Sequence, residues 1–189
     1  MKLLAGALFL IVMFAVYDAI GGSFPGSGHI LTRYGVVLGL SFIAILAHEL
    51  GHAAAVVAFR GRIRSVVVFP FAYRWATGKV KLNWNSRGGE IGGYVAYDLD
   101  RINARSKHGW IALAGPLANG VLAGAMLILL SASGPRQSGN LLQNLATALA
   151  TLSCGMAIVN LIPFAGSDGS AILRSLRGKR NQSASDRST

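Results

Sequence analysis

A short segment with three ionisable side chains interrupts one of the long apolar stretches of this chain. The run from Val36 to Phe59 is long enough to cross a bilayer as a helix, and its positions 48–52 read His-Glu-Leu-Gly-His. Charged or ionisable groups inside a membrane helix cost free energy unless they are paired or form a site. A metal ion would provide that role for the two histidines, and a water activated by the metal would provide it for Glu49. The segment therefore predicts a metal site within or just beneath a membrane.

The composition agrees with a membrane protein. The chain has 189 residues, of which 52% are hydrophobic and 13% charged, whereas about a quarter of the residues of a soluble domain are charged. The length suits one domain, which we expect over residues 1–178, followed by a polar, disordered tail over 179–189. The net charge of +11 does not indicate nucleic-acid binding, because the basic residues cluster between and after the apolar runs rather than among stacking aromatics.

Four apolar runs reach the length of about 20 residues that a membrane helix needs. They cover Leu3–Ile20, Val36–Phe59, Trp110–Leu130 and Leu141–Phe164. We interpret the first as an uncleaved anchor, because it lacks the small-residue cleavage pattern of a signal peptide. In the third run, small residues predict close helix packing. They are the pair Gly120 and Gly124, together with Ala114, Gly115, Ala118 and Ala123. The expected fold is an all-α polytopic membrane protein with about four transmembrane helices.

The basic residues predict the orientation of these helices. Ten lysines and arginines fall in the segment 60–109, five follow residue 173 and Lys2 begins the chain, but the two other connections hold only Arg33 and Arg136. Positive charge marks the cytoplasmic side of a membrane protein. We therefore expect a multi-pass protein with both termini and the segment 60–109 in the cytoplasm.

The same segment also contains strand patterns. Residues 62–69 begin with alternation and end in a β-branched run, residues 79–84 alternate after a Thr-Gly turn, and residues 91–97 form a third candidate. We expect a small membrane-associated antiparallel sheet between the second and third helices. Its open edge could pair with an extended peptide, or the sheet could be a structural cap on the helices.

The spacing of the histidines fits a metal site on a helix. His48 and His52 are four residues apart and project from one face, so both imidazoles can bind one ion, and Glu49 can act on a water without being a ligand. Zinc is the usual ion in such a site, and catalytic zinc has three protein ligands. The third ligand has to come from elsewhere. Asp168, after the fourth run, is the main candidate, because Pro163 and the glycines near it permit a turn there; His29 and His108 remain alternatives.

The zinc motif and three further elements make the chain resemble the site-2 protease family of intramembrane zinc metalloproteases. Residues 47–52 match the zinc motif of that family, and residues 115–119 match its Gly-Pro-x-x-Asn element. Asn160, Pro163, Asp168 and Gly169 match its Asn-x-x-Pro-x-x-x-x-Asp-Gly element, and residues 92–95 resemble its glycine-rich strand. The resemblance covers residues 44–173. It departs from the family at Ala165, Ser167, Ser170 and Ala171, and these changes affect the turn around Asp168.

The resemblance implies a function and a set of roles. His48, His52 and Asp168 would bind one Zn²⁺ per chain, Glu49 would be the general base and acid, and Asn119 would bind substrate or form an interhelical hydrogen bond. The substrate would be a transmembrane protein within the lipid bilayer, with no nucleic acid involved. Two alternatives are a non-catalytic scaffold of the same fold that binds a membrane-protein partner, and a metallopeptidase of the membrane surface. The latter class uses a later glutamate as third ligand, and no glutamate follows Glu90.

Overall fold

The computed structural model describes residues 1–82, 92–100, 102–135, 137 and 139–185. Within these residues the chain folds into five α-helices and four strands. Two helices come first, the four strands follow, and three helices end the chain. The helices are α1 (Lys2–Gly21), α2 (Ile30–Ala58), α3 (Ala104–Ala132), α4 (Leu141–Leu161) and α5 (Asp168–Ser185). The strands are β1 (Arg62–Val68), β2 (Phe71–Arg74), β3 (Lys79–Leu82) and β4 (Gly93–Asp98).

The first four helices are long and apolar enough to cross a membrane. They correspond to the four predicted runs, but α2 and α3 are longer than expected. Each has 29 residues, which at about 1.5 Å per residue gives a length of about 43 Å. That length exceeds the roughly 30 Å of a bilayer core. Helix α2 includes Arg33, whose guanidinium Nε donates a 2.8 Å hydrogen bond to the carbonyl of Phe24.

Helices α1, α2 and α4 share an apolar core. Valine, isoleucine, leucine and alanine side chains fill it, and they are Val12, Val16, Ile20, Val37, Leu40, Ala44, Ala148, Leu149 and Leu152. Helix α3 packs against α2, α4 and α5. Many large apolar side chains on the outer faces of the helices are exposed, among them Phe14, Leu38 and Val121. Such an outer surface suits lipid rather than water.

The closest helix contacts do not involve the glycine pair predicted from the third run. Neither Gly120 nor Gly124 has another part of the described chain within 4 Å of the position its Cβ would take, so this pair does not make the close contact, whereas Ala114, Gly115 and Ala118 of the same predicted set do. The close approach lies on another face of α3, where a Cβ on Gly51 of α2 would meet the carbonyl oxygen of Ala114 at 2.5 Å. The spacing of two glycines marks a small-residue face but does not say whether a neighbouring helix covers it.

The four strands form one antiparallel sheet in the order β3-β2-β1-β4. Strands β1, β3 and β4 correspond to the three predicted strands, except that positions 83, 84 and 91 of those predictions lie outside the described residues. Strand β2 was not predicted. It has only four residues and directly follows Pro70, so its alternation is too short to stand out.

The sheet lies beside α2 rather than beyond its end. The rings of Phe42 and Phe71 meet edge to face with centroids 5.8 Å apart, so the β1–β2 turn reaches far back along the helix. A Cβ on Gly93 of β4 would lie 2.8 Å from the Glu49 side chain. The glycine thus lets β4 approach the His-Glu-Leu-Gly-His turn of α2 closely.

Helix α4 ends at Leu161, three residues earlier than the predicted run, because Pro163 cannot continue it. Helix α5 then begins at Asp168 and continues to Ser185, so residues 179–185 are helical where the sequence predicted disorder. No proline follows Gly178 in the chain, and lysine, arginine, glutamine and alanine all tolerate a helix well. The remaining positions of the predicted tail, 186–189, lie outside the described residues.

Candidate metal centre

Helix α2 brings His48 and His52 together on its buried face. One helical turn separates them, and their rings lie edge to face with centroids 4.7 Å apart. The two Nε2 atoms are 3.1 Å apart. Helix α3 packs against this face of α2, so the side chains of His48 and His52 are only 7% and 12% exposed.

Asp168, the first residue of α5, supplies a carboxylate opposite these rings. Its Oδ2 lies 3.0 Å from His48 Nε2, and its Oδ1 lies 3.4 Å from His52 Nε2. A carboxylate in the first turn of a helix is also favoured by the helix dipole. The three residues therefore meet at one point although α2 and α5 are far apart in the sequence.

The spacing of these three ligand atoms suits zinc. Neighbouring nitrogen and oxygen ligands of a tetrahedral zinc at about 2.0–2.2 Å are about 3.3–3.6 Å apart. The measured separations of 3.0, 3.1 and 3.4 Å lie close to this spacing. Among the residues the structure describes, His48, His52 and Asp168 are the group of acidic and imidazole side chains that could hold a metal ion.

The second nitrogen of His52 is held by α3. Its Nδ1 lies 2.7 Å from the carbonyl oxygen of Ile111, so Nδ1 carries the proton and donates it to that carbonyl. In the neutral imidazole, which is the form that binds metal, the lone pair is then on Nε2, the atom that faces Asp168. A backbone carbonyl in this role commonly fixes both the tautomer and the ring orientation of a metal-binding histidine.

Asn119 occupies the corresponding position beside His48. Its side-chain amide is 0% exposed and its Nδ2 lies 3.3 Å from His48 Nδ1, while no partner for its Oδ1 is found among the described residues. A rotation of the amide by 180° exchanges its oxygen and nitrogen, and in that orientation Oδ1 accepts a hydrogen bond from the Nδ1–H group of His48. Asn119 does not line the cavity next to the histidines.

The other members of the segment 115–119 shape the path of α3 past the histidines. A Cβ on Gly115 would lie 2.5 Å from His52 Nε2 and 2.7 Å from His48 Nε2. Only a glycine leaves room for both rings at this position. Pro116 follows inside the helix and, having no N–H, leaves the carbonyl of Ala112 without its usual helical donor.

Glu49 lies on the wall of a cavity that opens from the candidate centre. The glutamate is 5% exposed. The cavity has a volume of about 1130 Å³, and its wall includes Glu49, both histidines, Asp168, Asn160 and the first residues of β4. The beginning of β4, Glu49 and the two imidazoles therefore border the same space.

Two groups outside the spanning helices have altered pKa values. Burial alone would raise the pKa of Asp168, but hydrogen bonds and positive charge from His48 and His52 outweigh burial and lower this pKa. The carboxyl is thus ionised at neutral pH, which is the form that binds metal.

Burial, with a smaller effect of the Asp168 charge, raises the pKa of Tyr97. Its neutral hydroxyl lies 2.8 Å from His108 Nδ1.

The turn that presents Asp168 is fixed by Ser167, a residue that sequence reasoning regarded only as a departure from the family pattern. The buried Ser167 Oγ accepts hydrogen bonds from the N–H groups of Phe164 and Ser170, at 3.1 and 3.2 Å. The second of these is an N-cap of α5. A serine immediately before the helix was the signal that could have indicated this role. A Cβ on Gly169 would clash with the carbonyl of Leu161, so the turn also needs this glycine.

The alternative third ligands lie elsewhere. His29 precedes α2 at the end opposite the candidate centre, and His108 contacts Tyr97 at the cavity wall. Of the other acidic residues of the chain, Asp98 pairs with Arg64. Glu90 and Asp186 lie outside the described residues.

The fold and the candidate centre together define a multi-span helical membrane protein with a metal-binding geometry of two histidines and one aspartate. A model of Peptidase family M50 matches residues 36–135, more than half of the chain, and the chain belongs to this family. This is the site-2 protease family indicated by the sequence motifs, and its members are zinc metallopeptidases. The match includes most of α2 and all of α3 but ends before Asp168. No curated protein and no solved structure matches the chain.

Proposed function

We propose that this chain is a zinc metalloendopeptidase that hydrolyses peptide bonds in or near transmembrane segments of membrane-protein substrates. The observation that carries the proposal is the convergence of His48, His52 and Asp168 beside a cavity whose wall includes Glu49. A scaffold that only binds partners has no need for a buried carboxylate next to a set of three possible ligands. Membership of a peptidase family supports the same conclusion.

In this proposal His48, His52 and Asp168 hold the zinc, which when bound polarises the scissile carbonyl and activates water. Glu49 accepts the proton of the attacking water and passes it to the nitrogen of the leaving amine, so that one peptide bond is broken and one water is consumed. The Ile111 carbonyl keeps His52 Nε2 directed at the centre. Of the two roles that the sequence left open for Asn119, we assign it the interhelical hydrogen bond, which orients His48, rather than the substrate contact, because it is buried against that ring.

Strand β4 offers a way to hold the substrate. It is at one end of the sheet order, so its outer edge has no strand partner among the described residues. Both Glu49 and the beginning of β4 line the same cavity. A partly unwound substrate can add to this edge as a strand, with its backbone hydrogen-bonded to β4 and its scissile bond beside Glu49.

A reconstituted assay tests the proposed activity. The wild-type protein and the Glu49→Gln variant are placed in proteoliposomes with a transmembrane peptide that contains glycines, and the products are identified by mass spectrometry. We expect Glu49→Gln to retain zinc and to lower the cleavage rate by about 10²- to 10⁴-fold, the usual contribution of a general base. Asp100→Asn, which removes an exposed carboxylate, is the matched control. Equal cleavage by wild type and Glu49→Gln would favour the scaffold alternative.

The proposal includes an orientation in which both termini and the segment 60–109 are cytoplasmic. Leu50 is the middle residue of the segment 48–52, and α2 ends only eight residues beyond it, next to the segment 60–109. In this orientation the candidate centre lies in the cytoplasmic half of the protein. Single cysteines at Thr77 and Ser133, introduced after Cys154→Ala, test this arrangement with a maleimide that does not cross membranes. We expect labelling of position 133 in intact cells and of position 77 only after permeabilisation. The reverse pattern would contradict the orientation.

A further inference from the structure

One face of the sheet is strongly basic. In the antiparallel register Arg74 lies opposite both Ser65 and Lys79, and Lys81 lies opposite Ala72, so their side chains share one face. Arg62 lies opposite Asp98 on this face, and Arg64 reaches the same aspartate from the irregularity in β1. We refer to Arg62, Arg64, Arg74, Lys79 and Lys81 as the basic face. Asp98 is the acidic residue that accompanies these five cations on the face.

A cavity of about 890 Å³ lies at one end of the basic face, where α2 meets β1. Its wall combines two kinds of side chain. Arg62, Arg74 and Ser65 provide cationic and hydroxyl groups, whereas Val57 and Trp75 provide apolar surface. The ion pair of Arg64 with Asp98 also lies on this wall. The cavity is therefore suited to a ligand that is anionic at one end and apolar at the other.

Two of the cavity arginines are available for an anion. Arg64 donates from Nε and Nη2 to the two carboxylate oxygens of Asp98 and so uses the acidic group nearby. Within the described part of the chain, neither Arg62 nor Arg74 has a carboxylate partner. Guanidinium groups bind phosphate through paired N–H donors more effectively than ammonium groups do.

The apolar part of the cavity continues along the outer surface of α2. Val57 is 61% exposed, Leu50 is 52% exposed and Ile43 is 46% exposed. Residues seven apart fall on nearly the same face of a helix, so these three side chains form one apolar strip that leads away from the cavity. Trp75 is 56% exposed at the other side, and exposed tryptophans are common where a membrane meets water.

From these features we propose that the cavity binds the headgroup of an anionic phospholipid. The phosphate lies between Arg62 and Arg74, the glycerol region contacts Trp75, and an acyl chain follows the strip formed by Val57, Leu50 and Ile43. An acidic protein segment would use the same arginines, but it would gain nothing from the apolar strip on a spanning helix. The site is separate from the candidate metal centre and does not depend on the proposed proteolysis.

Native mass spectrometry of the purified full-length protein tests the proposal. The protein is equilibrated in detergent with equal amounts of phosphatidylglycerol and phosphatidylcholine, and the retained lipid is identified. We expect the wild type to retain phosphatidylglycerol preferentially. Arg62→Gln/Arg74→Gln should lower this retention by about tenfold or more, because both guanidinium groups that donate to the phosphate are lost.

The matched control is Lys79→Gln/Lys81→Gln, which removes the same charge from the basic face but outside the cavity. Retention close to wild type in this control supports a defined site, whereas an equal loss in both double variants would indicate general surface attraction and overturn the proposal. Undiminished retention in Arg62→Gln/Arg74→Gln would also overturn it. So would release of the lipid by an equimolar amount of inorganic phosphate, or a loss of acidic-peptide binding in that variant while lipid retention is unchanged.

Discussion

Asp168 Oδ2 lies 3.0 Å from His48 Nε2, although the two residues belong to helices separated by the sheet and two further helices. The contact makes the candidate centre depend on two structures at once, the packing of α3 against α2 and the turn between α4 and α5. Disturbing either one should therefore change metal binding even when all three ligands are present.

Replacing Asp168 by alanine should remove one of three ligands. We expect zinc affinity, measured by competition with a chromogenic chelator, to fall by more than the roughly 10- to 100-fold that is typical for a residue outside the ligand set. Asp100→Ala, which removes an exposed carboxylate, should bind zinc as the wild type does. Unchanged affinity in Asp168→Ala would mean that the third ligand is another residue.

The buried amide of Asn119 gives a prediction about His48. Asn119→Leu keeps a similar volume but offers no acceptor for His48 Nδ1, so zinc affinity should fall by about 10- to 100-fold. Asn119→Asp provides an acceptor at the same place and should bind zinc more tightly than Asn119→Leu. If the two variants bind zinc equally well while both lower the affinity for a substrate peptide, Asn119 contacts the substrate instead.

The glycines of α3 provide a matched pair of variants. A methyl group at Gly115 would meet both imidazoles, so Gly115→Ala should lower zinc affinity and destabilise the protein by about 1–3 kcal/mol, as overpacking usually does. Gly120→Ala adds the same methyl group where nothing lies within 4 Å. Thermal unfolding in detergent and the chelator assay should leave the second variant close to wild type. A larger effect at position 120 would contradict the helix packing described above.

Ser167 is predicted to act on the centre through the turn. Ser167→Ala removes the cap of α5, a change that usually costs about 1 kcal/mol, and it frees the turn that holds Asp168. Zinc affinity should fall although no ligand is altered, and Ser133→Ala, an exposed serine in another connection, should have no effect. Wild-type zinc affinity in Ser167→Ala would show that the turn does not need this hydroxyl.

The elements with strong periodic or compositional signals could be predicted from the sequence. The four long helices were expected because apolar runs of about 20 residues leave few other structures possible. The pairing of His48 with His52 follows from their spacing on a helix. Asp168 could be identified as the candidate third ligand by elimination, because acidic residues are rare in this chain and a proline and glycines near it indicate a turn.

Features that depend on which surfaces meet could not be read from the sequence. Gly115 and Gly120 are both glycines of one helix, yet only the face with Gly115 is covered by α2. The sequence places Asn119 on α3 but does not show that its amide points to His48 rather than into the cavity. Strand β2 was missed because four residues after a proline give too short a pattern.

The metal content of the purified Glu49→Gln protein tests the central claim most directly. Metal analysis together with X-ray absorption at the zinc edge should find one zinc per chain, bound by two imidazole nitrogens and a carboxylate oxygen, and Asp168→Ala in the same background should lose it. Protein that contains no zinc after purification without chelators, or zinc that remains fully bound in the absence of Asp168, would contradict the account.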